Sequence, residues 1–377
     1  MIKNRTLYII YERYYDFDNN CVLSGGIQTY LSNLIPIFIS KGFRCKLFQA
    51  GTNNQSVELD NVFVTNVKVD LKKGYDRAAK LIFNTFKNEF DDERDYLLFA
   101  TECFSFDNKL KNTIAIQHGI CWDIPCHTEF SKKMNNFYVF RKAKNTYESV
   151  KRASRANTVI CVDYNYINWF RASTAYQSID FKAIPNFTEI APLLTKQSDT
   201  VNIIFARRLE TYRGTEVFLK AISKILDEFE IVKVTIAGRG PEKQHMKDVL
   251  RQYGDRVSFI EYTSDESIKI HSTHHIAVVP TIGSEGTSLS LLESMSSQCA
   301  VVCSDVGGMT NIVLNGFNGL IVSSGNVEEL YNALKQLIED ENLRKRISYN
   351  GYETVKQSFS KERWVKQWEE VVNNLLR

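Results

Sequence analysis

The chain has 377 residues and a mass of 43.4 kDa, more than a single hydrophobic core usually serves, so its length predicts two domains. Its 44% hydrophobic and 24% charged residues are typical of a folded globular protein and exclude extensive disorder. The net charge is only +3, which excludes a protein built mainly to coat nucleic acid. We therefore expect no nucleic-acid partner.

The eight cysteines are scattered, and several lie in apolar runs, as Cys161 and Cys303 do. This favours reduced, buried thiols in a cytosolic protein. Cys121 and Cys126 have neither the spacing of a redox motif nor a second pair for zinc. The N-terminal residues become polar too early for a signal peptide, and no apolar run approaches the ~20 residues of a membrane span. We expect a cytoplasmic protein.

Short β-branched and aromatic runs alternate with longer amphipathic segments along the chain. The first series predicts strands at 6–12, 43–49, 96–100, 113–117 and 158–163. The second series predicts strands at 201–206, 232–238, 257–262, 276–280, 300–304 and 320–323, with helices at 215–228, 241–253 and 327–340. Many of these runs are continuously apolar, which indicates parallel strands covered on both faces. The pattern predicts a doubly wound α/β architecture that occurs twice.

The two series are separated by residues 181–200. This segment contains two of the six prolines, Pro185 and Pro192, and its polar end precedes the first strand of the second series. We predict one domain over 1–184, a second over 185–360, and a C-terminal helix over 361–377. The apolar stripe of that helix would allow it to cross back to the first domain.

Residues 283–295, GSEGTSLSLLESM, begin as a glycine-containing loop after the predicted strand at 276–280 and continue as an apolar helix. Open α/β sheets bind ligands at the carboxyl ends of their strands, so this loop is a candidate binding site. Thr287 or Ser288 could cap the helix, and its first backbone N–H groups could then hold a phosphate.

Two glutamates, Glu285 and Glu293, stand at either end of this helical run. Eight helical residues span about 12 Å, too far for two carboxylates to share a proton. The pair could instead accept hydrogen bonds from a sugar and a ribose at the two ends of one ligand, with a diphosphate over the helix start. Two structural alternatives stay open, because Ser290 and Glu293 match a capping box and Glu285 could be a solvated loop residue.

Arg208 and Arg213 follow the predicted strand at 201–206 and flank a short turn. Two fixed cations at this place could clamp a diphosphate and neutralise the charge that develops as it departs. The structural alternative is a surface ion pair with Glu210 or Glu216.

Six motifs in chain order together resemble glycosyltransferase family 4, a family of retaining enzymes with the GT-B fold. The segment EGTSLSLLE resembles the family's E-x7-E element. The others are SGGIQTYL (24–31), QHG (117–119), RLETYRG (208–214), AGRGPE (237–242) and DVGGMTNIVLNGFNGLIV (305–322). They resemble, in the same order, an N-terminal glycine loop, a His-containing loop, R-L-x3-K-G, A-G-x-G-P-E and a C-terminal glycine segment. The resemblance extends over nearly the whole chain.

The resemblance implies two Rossmann-like, doubly wound domains that face each other across a cleft, the first binding an acceptor and the second a nucleotide sugar. It implies a retaining glycosyltransferase, of the EC 2.4 class, that moves a hexosyl-type sugar from a nucleotide-diphosphate sugar, with UDP as the expected nucleotide. No metal or other cofactor is expected. A glycan or lipid-linked acceptor in bacterial surface polysaccharide synthesis would fit this activity.

By this resemblance, Glu293 holds the ribose hydroxyls and Glu285 holds those of the transferred sugar. The diphosphate would be stabilised by two arginines and by backbone amides, namely those of Arg208, Arg213, Thr287, Ser288 and Leu289. His118 would lie beside the donor sugar and act at the reaction centre, and Asp123 could touch the acceptor.

Glycines complete the donor site that the resemblance implies. Gly25 and Gly26 would allow the backbone to approach the donor closely and would add N–H donors at a helix start, although a flexible turn stays an alternative. Gly238 and Gly240 would pass near the nucleotide base.

Three residues depart from the family pattern. Arg213 stands where the family usually carries lysine, and a planar guanidinium is not equivalent to a point charge. Arg207 replaces a small residue, which makes the alignment of the first arginine ambiguous. Arg239 replaces a residue that is more often acidic.

Two further features have simple structural explanations beside their functional ones. DFD, residues 16–18, matches the metal-binding D-x-D of another glycosyltransferase fold, but so short a match is common by chance. Residues 131–155 carry eight basic residues and one acidic residue with interleaved aromatics. This segment is either a solvated helix face or a patch for an anionic, lipid-linked acceptor, which would place the protein peripherally at the inner face of the membrane.

Three other functions remain open. A sugar-nucleotide epimerase would convert its donor without an acceptor, and a non-catalytic GT-B subunit would bind without turnover. An inverting transferase would need a base facing the acceptor, for which His118 and Asp123 are the candidates.

Overall fold

The computed structural model describes residues 5–23, 25–120, 136–173, 179–193, 196, 199–283 and 285–376, with residues 136–139 as backbone only. The chain forms two compact units that separate between Ile184 and Pro185. The N-terminal unit also takes in the chain from Val365 onward, and the C-terminal unit includes a short piece that begins at Gly119.

The N-terminal unit is an α/β sandwich. Its strands are β1 (Arg5–Tyr11), β2 (Tyr15–Asp16), β3 (Cys21–Val22), β4 (Phe43–Gly51), β5 (Gln55–Leu59), β6 (Val62–Lys68), β7 (Tyr96–Phe99), β8 (Thr113–Gln117), β9 (Thr158–Cys161) and β10 (Asp180–Ala183). Its helices are α1 (Gly26–Ser40), α2 (Tyr75–Phe86), α3 (Asn136–Lys151) and α4 (Tyr164–Ser173).

The main sheet of this unit has the strand order β10-β9-β8-β7-β1-β4-β6-β5, and β2 and β3 form a separate hairpin. Its strands are parallel except β5, which runs antiparallel to β6. Ile9 on the central strand β1 lies opposite Leu47 and Leu98, and all three are fully buried. Such continuously buried strands require cover on both faces of the sheet, as the apolar runs predict.

The C-terminal unit is a second doubly wound α/β domain. Its strands are β11 (Val201–Ala206), β12 (Val232–Ala237), β13 (Val257–Ile260), β14 (Ile276–Val279), β15 (Ala300–Ser304) and β16 (Leu320–Val322). Its helices are α5 (Thr215–Glu228), α6 (Lys243–Leu250), α7 (Ser267–Ser272), α8 (Leu289–Ser296), α9 (Val327–Glu339), α10 (Glu341–Ser358) and the start of α11 (Lys361–Leu375).

The second sheet is parallel, with the order β13-β12-β11-β14-β15-β16. Successive residues of β11 enter different cores, because side chains alternate between the two faces of a strand. Phe205 packs against Phe218 of α5 in one core, whereas Ile204 belongs to the core that contains Leu292 of α8. The core that contains Leu292 fixes α8 against the sheet, and thereby fixes the loop that leads into it.

The end of α11 packs in the N-terminal unit, which agrees with the crossing-back predicted for the C-terminal helix. Trp368 is fully buried and donates its Nε1–H to the Tyr30 hydroxyl at 2.9 Å. Lys41 forms an ion pair with Glu369 at 3.1 Å. Within the described ranges, every helix is too short or too polar to span a bilayer.

Candidate donor site in the C-terminal unit

The loops after β11, β12, β14 and β15 meet at the carboxyl edge of the second sheet. This is the edge at which open α/β sheets bind ligands. Leu209 N donates to the carbonyl of Arg239, and Ile282 N donates to the carbonyl of Tyr212, so the loops are bonded to one another. The residues of this unit that were predicted for the donor site therefore lie on a surface formed by loops that are bonded to one another.

Glu285 is the centre of this surface. Its side chain is buried, and its Oε2 accepts hydrogen bonds from Arg207 Nη2 at 3.0 Å, from Thr281 Oγ1 at 3.0 Å and from Arg213 Nη1. Thr281 in turn accepts from Arg207 Nη1 at 2.6 Å. The interpretation of Glu285 as a solvated loop residue is therefore wrong, because burial and three donors hold its carboxylate in place.

Two arginines keep Glu285 ionised. Burial by itself raises the pKa of a carboxyl group, but the charges of Arg207 and Arg213 outweigh that effect and leave the pKa of Glu285 below its usual value. One carboxylate between two guanidinium groups leaves a net charge of +1 at this point. The cluster can thus attract an anion and also present a carboxylate to a hydroxyl group.

Arg208, which the motif places in the diphosphate clamp, does not reach this cluster. Its side chain is 65% exposed and forms an ion pair with Glu210 at 3.5 Å, the contact named as the structural alternative. The arginine that stands beside Arg213 is Arg207. The reason is the alternation of side chains just past β11, which turns Arg207 inward and its neighbour outward. The role of Arg208 at a bound diphosphate stays a prediction.

Arg213 ends a short 3-10 turn, residues Thr211–Arg213, and the helix α5 follows after Gly214. Its guanidinium carbon lies 4.7 Å from the centre of the Tyr212 ring, which adds a cation–π contact to the bond with Glu285. Because an arginine has five N–H donors, this contact with Glu285 leaves others for a second anion.

Helix α8 begins between the two glutamates. Ser288 is its N-cap residue, but its side chain makes no capping hydrogen bond. The first helical hydrogen bond runs from Leu292 N to Ser288 O. The backbone N–H groups of Leu289 and of the two residues after it therefore have no acceptor within the helix. Thr287 is buried just before this point, and its carbonyl accepts from Asn186 Nδ2 at 2.8 Å. Of the three amides predicted to hold a phosphate, that of Leu289 is among these N–H groups, and an anion site here stays a prediction.

The capping-box interpretation of Glu293 is wrong. Ser290 lies inside the first turn of α8 rather than at its N-cap, and its carbonyl accepts from Ser294 Oγ at 2.6 Å. The Glu293 carboxyl instead accepts a hydrogen bond from Ser267 Oγ at 2.6 Å. Burial raises the pKa of Glu293 to about 7, although the bond from Ser267 opposes this shift.

The glycines of this unit serve the packing between loops. A Cβ atom at Gly238 or Gly240 would come within 2.1 or 2.2 Å of the carbonyl oxygens of Arg207 and Leu209, respectively. Gly307, at a φ of +55°, passes so close to Glu285 that a Cβ would lie 1.9 Å from its carbonyl oxygen. The glycine segment after β15 therefore supports Glu285 from behind. A place near the nucleotide base stays a prediction for Gly238 and Gly240.

His118 lies in the N-terminal unit, directly after β8. Its Nε2 is 2.9 Å from the Ala100 carbonyl and therefore carries the proton, while its ring packs edge-to-face on Tyr30. Desolvation lowers the pKa of His118 to about 4, so the imidazole is neutral at physiological pH. An imidazole with so low a pKa is a weak base, which disfavours His118 as the base of an inverting reaction.

Gly25 and Gly26 form the start of α1. Gly25 is the N-cap residue, no side chain caps the helix, and Gln28 Nε2 donates to the carbonyl of Arg13 at 2.8 Å. The helix thus offers backbone N–H donors at its start, as the glycine pair predicts. Asp123, Cys121 and Cys126 lie outside the described residues, as does the first part of the basic segment.

The D-x-D match belongs to a turn. Asp16 ends β2, and its carboxylate accepts from the backbone N–H groups of Asp18 and Asn19 and pairs with Arg13 at 3.5 Å. Within the part of the chain that the structure describes, no group of three or more His, Cys, Asp or Glu side chains is arranged to hold a metal ion.

Sequence reasoning did not assign Arg207, Thr281 and Ser267 to the site. One sign in the sequence marks Arg207 as unusual, because it stands where the family that the chain resembles has a small residue. That sign was interpreted as an ambiguity in the alignment and not as a role for Arg207. Thr281 and Ser267 are common residue types in loops, and only the folded chain brings their hydroxyls to the two glutamates.

Comparison with known proteins supports a glycosyltransferase. Residues 186–354 match the profile of the family described as "Glycosyl transferases group 1". An uncharacterized glycosyltransferase of Methanocaldococcus jannaschii is 24% identical over 319 residues, which cover 79% of this chain and 78% of the relative.

Solved structures show the fold over the whole chain. Sucrose-phosphate synthase from Thermosynechococcus elongatus matches with a TM-score of 0.77 and 16% identity, covering 99% of both chains. HepE of Anabaena in complex with UDP matches with a TM-score of 0.67 and 16% identity, covering 98% of this chain and 100% of that one. The chain has the GT-B fold of two Rossmann-like units, and the sequence matches support a transferase of the EC 2.4 kind.

Proposed function

We propose that the protein is a retaining glycosyltransferase that uses a UDP-sugar and requires no metal ion. The observation that carries this proposal is the geometry around Glu285, a buried carboxylate kept ionised by Arg207 and Arg213 next to the free amides of α8. This arrangement offers acceptors for sugar hydroxyls and donors for a diphosphate within one connected surface.

The sugar end of the donor is assigned to Glu285. Arg207, Thr281 and Arg213 engage its Oε2, and the Ser288 hydroxyl also bonds the carboxylate, whose remaining acceptor capacity is proposed to serve hydroxyls of the transferred sugar. Both arginines hold the carboxylate rigidly, so little reorganisation is needed when the sugar arrives.

The ribose end is assigned to Glu293. It lies on the second turn of α8 and faces Ser267, which orients its carboxyl group. With a pKa of about 7, it is partly protonated at neutral pH, and two ribose hydroxyls would favour the ionised form that accepts both hydrogen bonds.

The leaving diphosphate would lie between these ends, over the start of α8. The N–H groups there carry a partial positive charge, and Arg213 can donate to a phosphate oxygen while it keeps its bond to Glu285. Arg208 is exposed beside this point and is proposed to turn onto the diphosphate when the donor binds. Together these donors replace the charge neutralisation that a metal supplies in other transferases.

In the proposed reaction the bond between the anomeric carbon and the diphosphate oxygen breaks, and its electron pair stays with the diphosphate. The acceptor hydroxyl attacks from the same face and forms the new glycosidic bond. Its proton passes to an oxygen of the departing diphosphate, so no protein nucleophile is required. The neutral His118 would act as a hydrogen-bonding partner rather than as a base.

A peripheral membrane contact through the basic segment is a second part of the proposal. The described part of α3 exposes Phe140 (69%) and Tyr147 (44%) among basic residues. Aromatic rings beside lysine and arginine suit an anionic bilayer surface, where a lipid-linked glycan acceptor would be presented.

Thermal unfolding tests the donor assignment. UDP, GDP, ADP and CMP are each added with and without a chelator, and a nucleotide at about 100 times its Kd should add about 2.7 kcal/mol of apparent stability. A selective UDP shift that survives chelation is expected. A shift that requires a divalent cation, or no shift with UDP, contradicts the proposal.

The stereochemistry is tested separately. A donor identified by the unfolding screen is incubated with acceptors, and the anomeric configuration of the new bond is read by NMR. Retention is expected, whereas inversion would require a base that faces the acceptor. Release of free, epimerised nucleotide sugar without transfer would identify the protein as an epimerase.

A further inference from the structure

Tyr30 on α1 connects His118 to the C-terminal helix α11. Its ring packs edge-to-face on the His118 imidazole, with ring centres 5.1 Å apart and an angle of 89°. Its hydroxyl accepts the Nε1–H of Trp368 at 2.9 Å, and the Tyr30 and Trp368 rings meet with centres 6.2 Å apart at 78°. Three side chains in contact thus lead from α11 to His118, and all three belong to the N-terminal unit.

The imidazole of His118 has one anchor of its own. Its Nε2–H donates to the Ala100 carbonyl at 2.9 Å. Ala100 is fixed in turn, because it is fully buried and its N–H donates to the Ile10 carbonyl at 3.0 Å. One hydrogen bond holds one atom of the ring and leaves the ring free to turn about that bond. The perpendicular contact with Tyr30 removes this freedom, so the two contacts together set the direction of Nδ1.

Nδ1 is the atom through which His118 can bind a substrate. In a neutral imidazole one nitrogen carries the proton and the other accepts hydrogen bonds. Since Nε2 carries the proton, Nδ1 is the acceptor. His118 is partly exposed, whereas Tyr30 and Trp368 are buried. The imidazole can therefore meet a substrate hydroxyl that Tyr30 and Trp368 are too buried to contact.

Trp368 is a rigidly held donor. It is fully buried, and its ring centre lies 6.3 Å from that of Phe38 on α1. Further along α11, the Leu375 carbonyl accepts a hydrogen bond from the Tyr96 hydroxyl, which ties the end of the helix to β7. The indole N–H of a buried tryptophan needs an acceptor, and the Tyr30 hydroxyl supplies it. The position of the Tyr30 ring is therefore set from α11.

We infer that Trp368 is a positioning residue for glycosyl transfer, which acts through Tyr30 to hold the His118 imidazole with Nδ1 directed at a substrate hydroxyl. The inference rests on the proposed function and adds the end of α11 to the residues that support the reaction. Loss of the indole N–H would leave the Tyr30 hydroxyl without its anchor and let the imidazole turn about its bond to Ala100. Displacement of a reacting group by about 1 Å can cost about 10²-fold in rate.

Steady-state kinetics on the full chain test this inference, with the donor that is active in the transfer assay. Trp368→Phe keeps a buried aromatic ring and removes the N–H, whereas Tyr30→Phe removes the acceptor. Each should lower kcat by about tenfold or more. The KM for the donor should stay nearly unchanged, because the residues assigned to donor binding are untouched. The double variant should lose no more than the weaker of the two single variants, since both substitutions break the same hydrogen bond.

A His118→Ala background shows whether Trp368 acts through His118. In that background Trp368→Phe should cause no further decrease in kcat. Trp364→Phe is the matched control, because Trp364 is also buried on α11 but its ring packs on Phe187, with centres 4.5 Å apart. It should leave kcat unchanged even where it lowers Tm. Full turnover of Trp368→Phe, the same fold decrease in both backgrounds, or an equal decrease in Trp364→Phe would overturn the inference.

NMR of the substrate-free chain provides a readout that does not depend on activity. The imidazole ¹⁵N resonances of His118 are assigned by their loss in His118→Ala. They should shift in Trp368→Phe and in Tyr30→Phe and stay in place in Trp364→Phe. Unchanged resonances in Trp368→Phe would overturn the inference whether or not the protein transfers a sugar. A parent chain that transfers no sugar although its variants show these shifts would contradict the proposed function, and the inference would be overturned with it.

Discussion

Substitution by methionine should lower the thermal stability at Arg207 and the turnover at its neighbour Arg208. Arg207→Met removes the charge but keeps an unbranched chain, and it leaves buried Glu285 with Arg213 and Thr281 as partners. Loss of one partner from a buried ion pair typically costs 3–5 kcal/mol. Because two donors remain here, we expect the loss of one charged hydrogen bond, about 2–3 kcal/mol.

This loss should appear in thermal unfolding. For a unit of the size of 185–364, each kcal/mol lowers Tm by about 2–4 °C, so the expected decrease for Arg207→Met is about 4–12 °C. Arg208→Met is the matched control, because an exposed side chain changes stability by about 0.5 kcal/mol or less. Its turnover, in contrast, should fall about 10²–10³-fold if Arg208 reaches the diphosphate.

A double variant checks the cause. Because Glu285→Gln already removes the ionic partner of Arg207, Arg207→Met should cost less stability in the Glu285→Gln background than in the parent chain. An unchanged Tm in Arg207→Met, or the same loss of stability from Arg207→Met in both backgrounds, would refute the argument that Arg207 compensates Glu285. Normal turnover in a folded Arg208→Met protein would remove Arg208 from the proposed site.

Two further predictions concern pH and the membrane. Since burial raises the pKa of Glu293 to about 7, UDP affinity measured by calorimetry should weaken as pH falls below 7, by up to about tenfold per unit. Glu293→Gln should remove the part of this slope that does not come from the nucleotide's own phosphate, and an identical slope in that variant would contradict the assignment. At low salt the protein should co-sediment with vesicles that contain anionic phosphatidylglycerol. The double substitution Phe140→Ser and Tyr147→Ser should reduce the fraction of protein that co-sediments. Tyr349→Ser removes an exposed aromatic side chain from α10 and should leave the co-sedimenting fraction unchanged. An equal decrease in both variants would exclude a specific membrane contact through α3.

The fold could be predicted largely because its strands are buried on both faces. The runs at 113–117, 201–206 and 300–304 coincide with β8, β11 and β15, since continuous apolar character marks a central parallel strand. The antiparallel β5 was missed because an edge strand is mostly exposed and carries little apolar signal. The helix predicted at 241–253 is shorter in the structure and ends in a 3-10 turn that contains Gly254.

The site was predictable only as far as chain neighbours define it. Glu285, Glu293 and the start of α8 lie within one short segment, so spacing alone places them on one loop and helix. The two arginine partners of Glu285 lie more than seventy positions away, and which of two adjacent arginines turns inward depends on the register past β11. That register is decided by packing in the two cores, and no local pattern reports it.

Two of the three departures from the pattern that the chain resembles, Arg207 and Arg213, have a common physical explanation. The negative charge of a carboxylate as buried as Glu285 must stay paired even if Arg213 turns towards another anion. Arg207 and Thr281 provide the hydrogen bonds and the positive charge that keep it paired. In the proposed reaction, Arg213 would then direct part of its guanidinium to the diphosphate without leaving a buried charge unpaired. A lysine at 213, as a point charge, could not hold a carboxylate and a phosphate in fixed directions at once. If the proposed function is right, Arg207 and Arg213 together would hold a buried carboxylate and a leaving diphosphate side by side.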